Sequence, residues 1–142
     1  MGKIFGLVGY SCAGKDLAAE YLERSYEAVR WGHSDRIREY AAKQGIQVCD
    51  TAQLSALFQE RVSVDGYGWI AQIVAERVHA LRRKDKKRPV VITGVRFPEE
   101  VEVYSQLPGF RLVKLQADFN VRYRRARARQ RMGERELTPK RF

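Results

Sequence analysis

Cysteine is scarce in this chain of 142 residues: only Cys12 and Cys49 are present. Two thiols do not make the disulfide framework of a small secreted domain, so a reduced, cytoplasmic setting is the expectation. Histidine is as rare, at two residues, and no Cys/His cluster has the spacing of metal ligands, which argues against a zinc site. No apolar run approaches the roughly 20 residues of a membrane span. The start, Met1-Gly2-Lys3-Ile4, enters an apolar run that soon meets glycine and lysine, so a secretory signal is not expected. Internal repeats and low-complexity linkers are also missing, and the length suits one domain with one core.

Apolar and charged material are both ample. Hydrophobic residues make up 44% and charged residues 31%, enough for a core and too apolar for disorder. The net charge of +10 is concentrated in two places. Residues 82–88 carry a surplus of 5 and residues 122–142 a surplus of 7, which leaves the other 114 residues at −2. The first segment reads as a solvated helix end and loop, with a polyanion contact as the sharper alternative. The second is nearly all arginine, the cation better shaped for two-pronged phosphate contacts.

Hydrophobic periodicity alternates between strand and helix. Residues 3–8 read as a short buried strand through Ile4, Phe5, Leu7 and Val8. A helix follows over 16–28, with Leu17, Ala18, Tyr21 and Leu22 on its apolar face. Residues 29–31 suit a second strand. A helix capped by Ser34 or Asp35 runs to Gln44, and another, capped by Thr51, runs to about Val62. The strongest stripe, Ile70, Ile73, Val74, Val78 and Leu81, predicts a helix over 69–83. Val90 to Thr93 form a buried strand, Pro98 opens a helix whose Glu99, Glu100 and Glu102 suit its positive end and which stops at Pro108-Gly109, and residues 110–116 predict a third core strand. An arginine-rich helix over 119–132 follows. This order predicts an α/β fold, a parallel sheet between helices, with ligands at the carboxyl ends of the strands.

Three motifs fall at those ends. Gly9-Tyr10-Ser11-Cys12-Ala13-Gly14-Lys15-Asp16 has the G-x-x-x-x-G-K spacing of a P-loop, after a strand and before a helix. Glycines let the backbone wrap a phosphate chain, inward N–H groups and the helix N-terminus supply positive field, and Lys15 reaches the β/γ-phosphates. Gly9, Ser11, Cys12, Ala13, Gly14, Lys15, Asp16 and Leu17 are therefore the candidate nucleotide-binding residues. Ser or Thr is usual after the lysine, as a Mg²⁺ ligand. Asp16 stands there instead, and its hard carboxylate oxygen makes it the candidate metal ligand, or else a first-turn acid that complements the helix dipole. In the arginine-rich helix, Arg122, Arg125 and Arg129 recur at three- and four-residue steps and share a face.

The remaining motif, Ile92-Thr93-Gly94-Val95-Arg96-Phe97-Pro98-Glu99-Glu100, together with Gly14-Lys15-Asp16, resembles the deoxynucleoside monophosphate kinases of bacteriophages, whose stretch reads I-T-D-V-R-F-P-N-E. The chain plan is also similar to dephospho-CoA kinases and to archaeal kinase-like ATPases, and residues 33–45 resemble the start of the acceptor region in these kinases. The resemblance implies a P-loop NTPase three-layer sandwich of the nucleotide-kinase type. It implies a single domain over 1–142, with an acceptor region at about 33–70 and an arginine lid at about 120–136. It implies γ-phosphoryl transfer from ATP, with Mg²⁺, to a phosphate-bearing acceptor. The expected acceptor is a (deoxy)nucleoside monophosphate, with dephospho-CoA as the alternative.

By the same resemblance Arg96 grips the acceptor phosphate, Asp35 and Arg36 bind substrate, and Arg125 and Arg129 close on the transferring group. For Arg96 the alternative is an ion pair with Glu99 or Glu100; for the arginine helix it is a solvated face or a nucleic-acid arm. A nucleotide-binding protein without turnover is a further alternative. This chain departs from the family at Thr93-Gly94, where an acid usually ends the strand. The family also implies a helix and a strand after the lid, so a minimal form and a chain short at its C-terminus both stay open. Trp31, Tyr67 and Trp69 are expected to pack the core, with stacking on an acceptor base as the alternative, and His33 and His79 are read as isolated histidines.

Overall fold

The computed structural model describes residues 2–129. Four parallel strands, β1 (Ile4–Val8), β2 (Val29–Gly32), β3 (Val90–Thr93) and β4 (Phe110–Lys114), lie in the order β2-β3-β1-β4. In register, Ile4 pairs with Val90 and with Phe110, and Val29 pairs with Val90. Six helices connect and follow them: α1 (Lys15–Tyr26), α2 (His33–Lys43), α3 (Thr51–Asp65), α4 (Trp69–Lys84), α5 (Pro98–Ser105) and α6 (Phe119–Arg129). The expected α/β architecture with a parallel sheet is therefore present.

The pleat divides β1 between two cores. Ile4 joins the larger one, with Val90 and Ile92 of β3, Ile70, Val74 and Val78 of α4, and Tyr104 of α5. Leu7 joins the smaller one with Val91, Ala19 and Ala28, and Phe5 packs against it. Helices α2 to α5 thus cover one face, and α1 lies on the other.

Several sequence expectations need correction. Residues 110–116 do not form a core strand: β4 is at the sheet edge, and Leu112 is 47% exposed. Its alternation looked like burial because one face of an edge strand still packs. In α1 the buried side is Ala18, Ala19 and Leu22, whereas Leu17 and Tyr21 face outward. Small alanines let the helix approach the sheet closely. The caps also shift, by one residue in α3 and by two or more in α2. Helix α2 begins at His33 directly after β2, with Gly32 before it and no side-chain cap. Asp50 rather than Thr51 caps α3, accepting from the Gln53 N–H at 2.8 Å. Helix α5 ends at Ser105, short of Pro108. The predicted end of the arginine helix at 132, and lid residues 130–136, lie outside the described residues.

In the basic segment at 82–88, Arg82 and Arg88 hold backbone, while Arg83, Lys84, Lys86 and Lys87 are exposed. Arg82 donates from Nη2 to the Gly2 carbonyl at 3.0 Å, and Arg88 donates from Nε to the Glu27 carbonyl at 2.9 Å. The Asp85 carboxylate accepts the Lys87 and Arg88 N–H groups, both at 3.1 Å. These bonds tie the amino ends of the strands together, at the edge opposite the three motifs.

Core and edge should respond differently to truncation. Ile92→Ala, at a fully buried side chain, is expected to cost about 2–5 kcal/mol of unfolding free energy. Leu112→Ala at the half-open edge should cost less than about 1.5 kcal/mol, as partial exposure removes much of the transfer term. Urea unfolding of the two variants measures the difference.

Candidate functional site

The parallel sheet delivers the ends of β1, β2, β3 and β4 to one edge, and each end begins a polar segment. After β1 the chain turns through 9–14 into α1. Gly9 stands at φ 149°, and a Cβ there would overlap the Leu115 carbonyl. That close approach of the loop to the end of β4 admits only glycine. Cys12 adopts φ 63°, a left-handed conformation uncommon for a non-glycine residue. The loop leads into α1 as the P-loop spacing requires.

Cations from the loop and from α6 are aimed at loop acceptors. Lys15 donates from Nζ to the Gly9 carbonyl at 2.6 Å. Arg125 donates from Nη1 to the Cys12 carbonyl at 3.1 Å, and Arg129 from Nη2 to Ser11 Oγ at 3.2 Å. The sequence-predicted pair Arg125 and Arg129 is thus brought onto the loop across more than 110 residues of chain. Arg122 lies over the Tyr10 ring, 4.9 Å from its centroid, and donates from Nε to the Ala117 carbonyl at 3.1 Å. Beside this pair a groove of about 330 Å³ is lined by Tyr10, Ala13, Leu115, Gln116 and Asp118. A second groove, of about 400 Å³, lies between Tyr67, Gln72, Glu99 and Glu102 and includes no P-loop residue.

Asp16 is exposed in the first turn of α1, and Arg30 of β2 pairs with it at 2.7 Å. Arg30 was not singled out in the sequence, because nothing local marks it. Asp35, in the first turn of α2, is exposed, and Arg38 pairs with it at 3.6 Å. A Cβ placed on Gly32 would lie 3.2 Å from Thr93 Oγ1 and 3.3 Å from Asp35 Oδ2. The Asp35 carboxylate and the Thr93 hydroxyl therefore both lie beside Gly32 at the ends of β2 and β3, near the position where the resembling kinases carry an acid. Asp16, Asp35 and Thr93 offer only hard oxygen donors, a chemistry that fits Mg²⁺. Among the described residues no group of three or more His, Cys, Asp or Glu side chains is gathered into one metal cluster.

The segment after β3 carries Arg96. Its side chain is exposed and makes no hydrogen bond or ion pair among the described residues, so the expected alternative of pairing with Glu99 or Glu100 does not occur. Glu100 is instead buried, and its Oε1 accepts the backbone N–H groups of Arg96 at 2.8 Å and Phe97 at 2.9 Å. Its Oε2 lies 3.0 Å from His33 Nδ1, and His33 Nε2 lies 2.6 Å from the Tyr104 hydroxyl. His33 is thus not an isolated histidine, a correction that no sequence signal offered. His79 is exposed on α4. Arg36 is nearly buried: Nη2 pairs with Glu39 at 3.0 Å, while Nε and Nη1 have no partner among the described residues. Close by, Phe97 stacks on Phe58 at 5.3 Å and lies 4.8 Å from Tyr67, and Trp69 is buried against Phe58 and Tyr40.

Two outcomes test this arrangement. Gly94 sits at φ 88°, and a Cβ on it would come within 2.9 Å of His33 Cβ. Gly94→Ala should therefore destabilise by at least about 1–2 kcal/mol, the left-handed backbone term alone, in urea unfolding. Burial, then the Glu100 charge, pushes the Tyr104 hydroxyl well above the usual tyrosine range, against a smaller lowering by Arg36. A proton held more tightly in the folded state stabilises below the unfolded value. That contribution should fall away as pH rises past about 10, and Tyr104→Phe should flatten this alkaline decline in a pH series of thermal melts.

Comparison with known proteins agrees with the fold. Residues 6–138 match the family model described as AAA domain. A UPF0200 protein of Methanothermobacter thermautotrophicus is 30% identical over 130 residues, 90% of this chain and 62% of the relative. A UPF0200/UPF0201 protein of Archaeoglobus fulgidus is 30% identical over 132 residues, 91% of this chain and 39% of the relative. The chain thus spans less than two thirds of the length of these relatives. Among solved structures, a gluconokinase from Sinorhizobium meliloti superposes with a TM-score of 0.54 at 16% identity, over 98% of this chain and 69% of that one. A shikimate kinase from Acinetobacter baumannii, in complex with shikimate, gives a TM-score of 0.54 at 15% identity, over 94% and 66%. These two show a shared P-loop kinase-like fold. No helix among the described residues is long and apolar enough to cross a membrane.

Proposed function

Because the chain belongs to the AAA domain family, and because its P-loop lies at one sheet edge with Arg96, Arg125 and Arg129, we propose that it is an ATP- and Mg²⁺-dependent phosphotransferase acting on a nucleotide-like acceptor. The convergence of Lys15, Arg125 and Arg129 on one loop is the observation that carries this reading. Phosphoryl transfer needs positioned cations around a spreading negative charge and no covalent intermediate. Phosphate oxygens are acceptors of the same kind as the loop carbonyls and hydroxyl that these cations now hold.

In this reading the backbone of residues 11–17 with Gly9 and Lys15 holds the donor phosphates. Leu17 contributes only its backbone, since its side chain faces outward. The groove beside Tyr10 and Arg122 takes the donor base, which suits a stacked cation and ring. Asp16 exchanges Arg30 for Mg²⁺, with Asp35 as the second acid at the edge. Bound there, the ion would neutralise charge on the β- and γ-phosphate oxygens. Residues 33–70 form the acceptor region within a domain spanning 1–142, and 120–136 the lid. Arg96 meets the acceptor phosphate, and Arg36 is the second substrate-binding arginine.

A (deoxy)nucleoside monophosphate is the preferred acceptor, its base stacking along the Phe97 and Tyr67 cluster. One observation favours a second reading. The exposed Asp35 carboxylate beside Thr93 suits an acceptor that presents a hydroxyl, as dephospho-CoA does, because a carboxylate orients a hydroxyl and repels a phosphate.

The test is ADP release from Mg-ATP across the nucleoside and deoxynucleoside monophosphates and dephospho-CoA. Acceptor-dependent ADP is expected. Lys15→Ala should lower turnover about 10²–10³-fold, the loss typical of one transition-state donor. Arg96→Ala should raise the acceptor KM about tenfold or more, the weight of a charged hydrogen bond. ATP binding without turnover on any acceptor would instead identify a nucleotide-binding protein. Salt-sensitive RNA or DNA binding that survives Lys15→Ala would point to the basic segments.

A further inference from the structure

Glutamate in the first turn of a helix normally stays at the surface and complements the dipole. Glu100 does not: its side chain is 1% exposed. A buried carboxylate is costly unless its oxygens are satisfied, and here each oxygen has a partner. Oε1 accepts two backbone N–H groups, those of Arg96 and Phe97. Oε2 faces His33 Nδ1 at 3.0 Å. A carboxylate only accepts, so Nδ1 carries a hydrogen toward it, and Nε2 shares a hydrogen bond with the Tyr104 hydroxyl at 2.6 Å. Tyr104 is one turn along α5 from Glu100 and fully buried.

The segment 94–97 is therefore gripped at successive points. His33 is packed against Gly94, where no side chain fits. Glu100 holds the backbone at Arg96 and Phe97. The Phe97 ring is stacked on Phe58 with an interplanar angle of 7°. Arg96 projects from this clasped backbone with an exposed guanidinium that no described side chain engages. A cation on a fixed backbone is preorganised for an anion that arrives later. His33 also opens α2, the helix that carries Asp35 and Arg36. The clasp thus joins α2 to the segment that carries Arg96.

We infer that His33 and Glu100 are positioning residues that hold Arg96, through its backbone, in register with Arg36 for an anionic acceptor. Neither touches the acceptor. The inference rests on the reading of Arg96 as an acceptor ligand.

The test uses the full chain with His33→Ala, His33→Asn and Glu100→Gln, each checked for fold by circular dichroism. His33→Ala is expected to raise the acceptor KM about 10- to 100-fold, as a small misplacement near the reacting groups does, with the ATP KM unchanged. Hydrogen exchange at the Arg96 and Phe97 amides should accelerate together. His33→Asn places an amide N–H where Nδ1–H stood and should recover most of the loss. Should His33→Ala not fold, Glu100→Gln serves. It keeps an acceptor for the two amides and the same shape, and is expected to raise the acceptor KM severalfold while leaving the ATP KM unchanged.

Acceptor and ATP KM values that shift together, or an acceptor KM that stays put while exchange accelerates, would make the clasp purely structural and overturn the inference. So would His33→Asn behaving like His33→Ala. If the wild-type chain turns over no acceptor, the reaction reading fails by itself. Acceptor binding then decides the positioning: affinity by calorimetry that falls in His33→Ala and returns in His33→Asn upholds it, and affinity unchanged in His33→Ala and Glu100→Gln overturns it.

Discussion

Parallel pairing of four strands around β1 is the constraint on which the rest of the molecule depends. All four strands point the same way, so every loop that follows a strand emerges at one edge. The chain leaves β1 for the far position β2, returns to insert β3 between them, and crosses to β4 on the other side. The P-loop therefore sits where successive connections part in opposite directions, the place in such sheets where a crevice opens. The other edge is closed differently. Arg82 and Arg88 spend their guanidinium groups on carbonyls of residues 2 and 27, which makes those two arginines a clamp.

At the open edge, polar groups are arranged by their partners' chemistry. Lys15, Arg125 and Arg129 donate to neutral oxygens of the loop, contacts that an anion with more and stronger acceptors can take over. Asp16 and Arg30 form an exposed pair, which water screens and which contributes little to stability. The buried chain from Tyr104 through His33 to Glu100 is a different case. Low dielectric strengthens each link, and any missing partner would leave a desolvated polar group. Its value lies in fixing one arrangement of the segment after β3, next to a cluster of rings that also packs only one way.

Much of this was legible in the sequence because the signals are local. The 2.0 and 3.6 periods of residues 4–8, 70–81 and 90–93 report which residues face a core, and these elements form where expected. The P-loop is legible for a stronger reason: glycines at fixed spacing, a lysine and a following helix are one contiguous unit, and its geometry depends on backbone freedom and not on distant contacts. Errors arose where burial depends on neighbours. Alternation in β4 does not reveal that it lies at the edge. Leu17 and Tyr21 are apolar, yet the face of α1 that meets the sheet is the one with the small alanines.

The sequence by itself determined the alternation of strands and helices, the phosphate-binding turn and the placing of three arginines on one helix face. Only the tertiary structure decided that His33 meets Tyr104 across 71 residues, that Glu100 turns inward to hold the backbone of Arg96, and that Asp35 and Thr93 approach the same point beside Gly32. The reason is physical. Helical and strand periods and backbone φ preferences are properties of neighbours in the chain. The partner of a polar side chain depends on strand order and helix placement, which emerge when the apolar faces pack and polar groups must find each other within the space that remains.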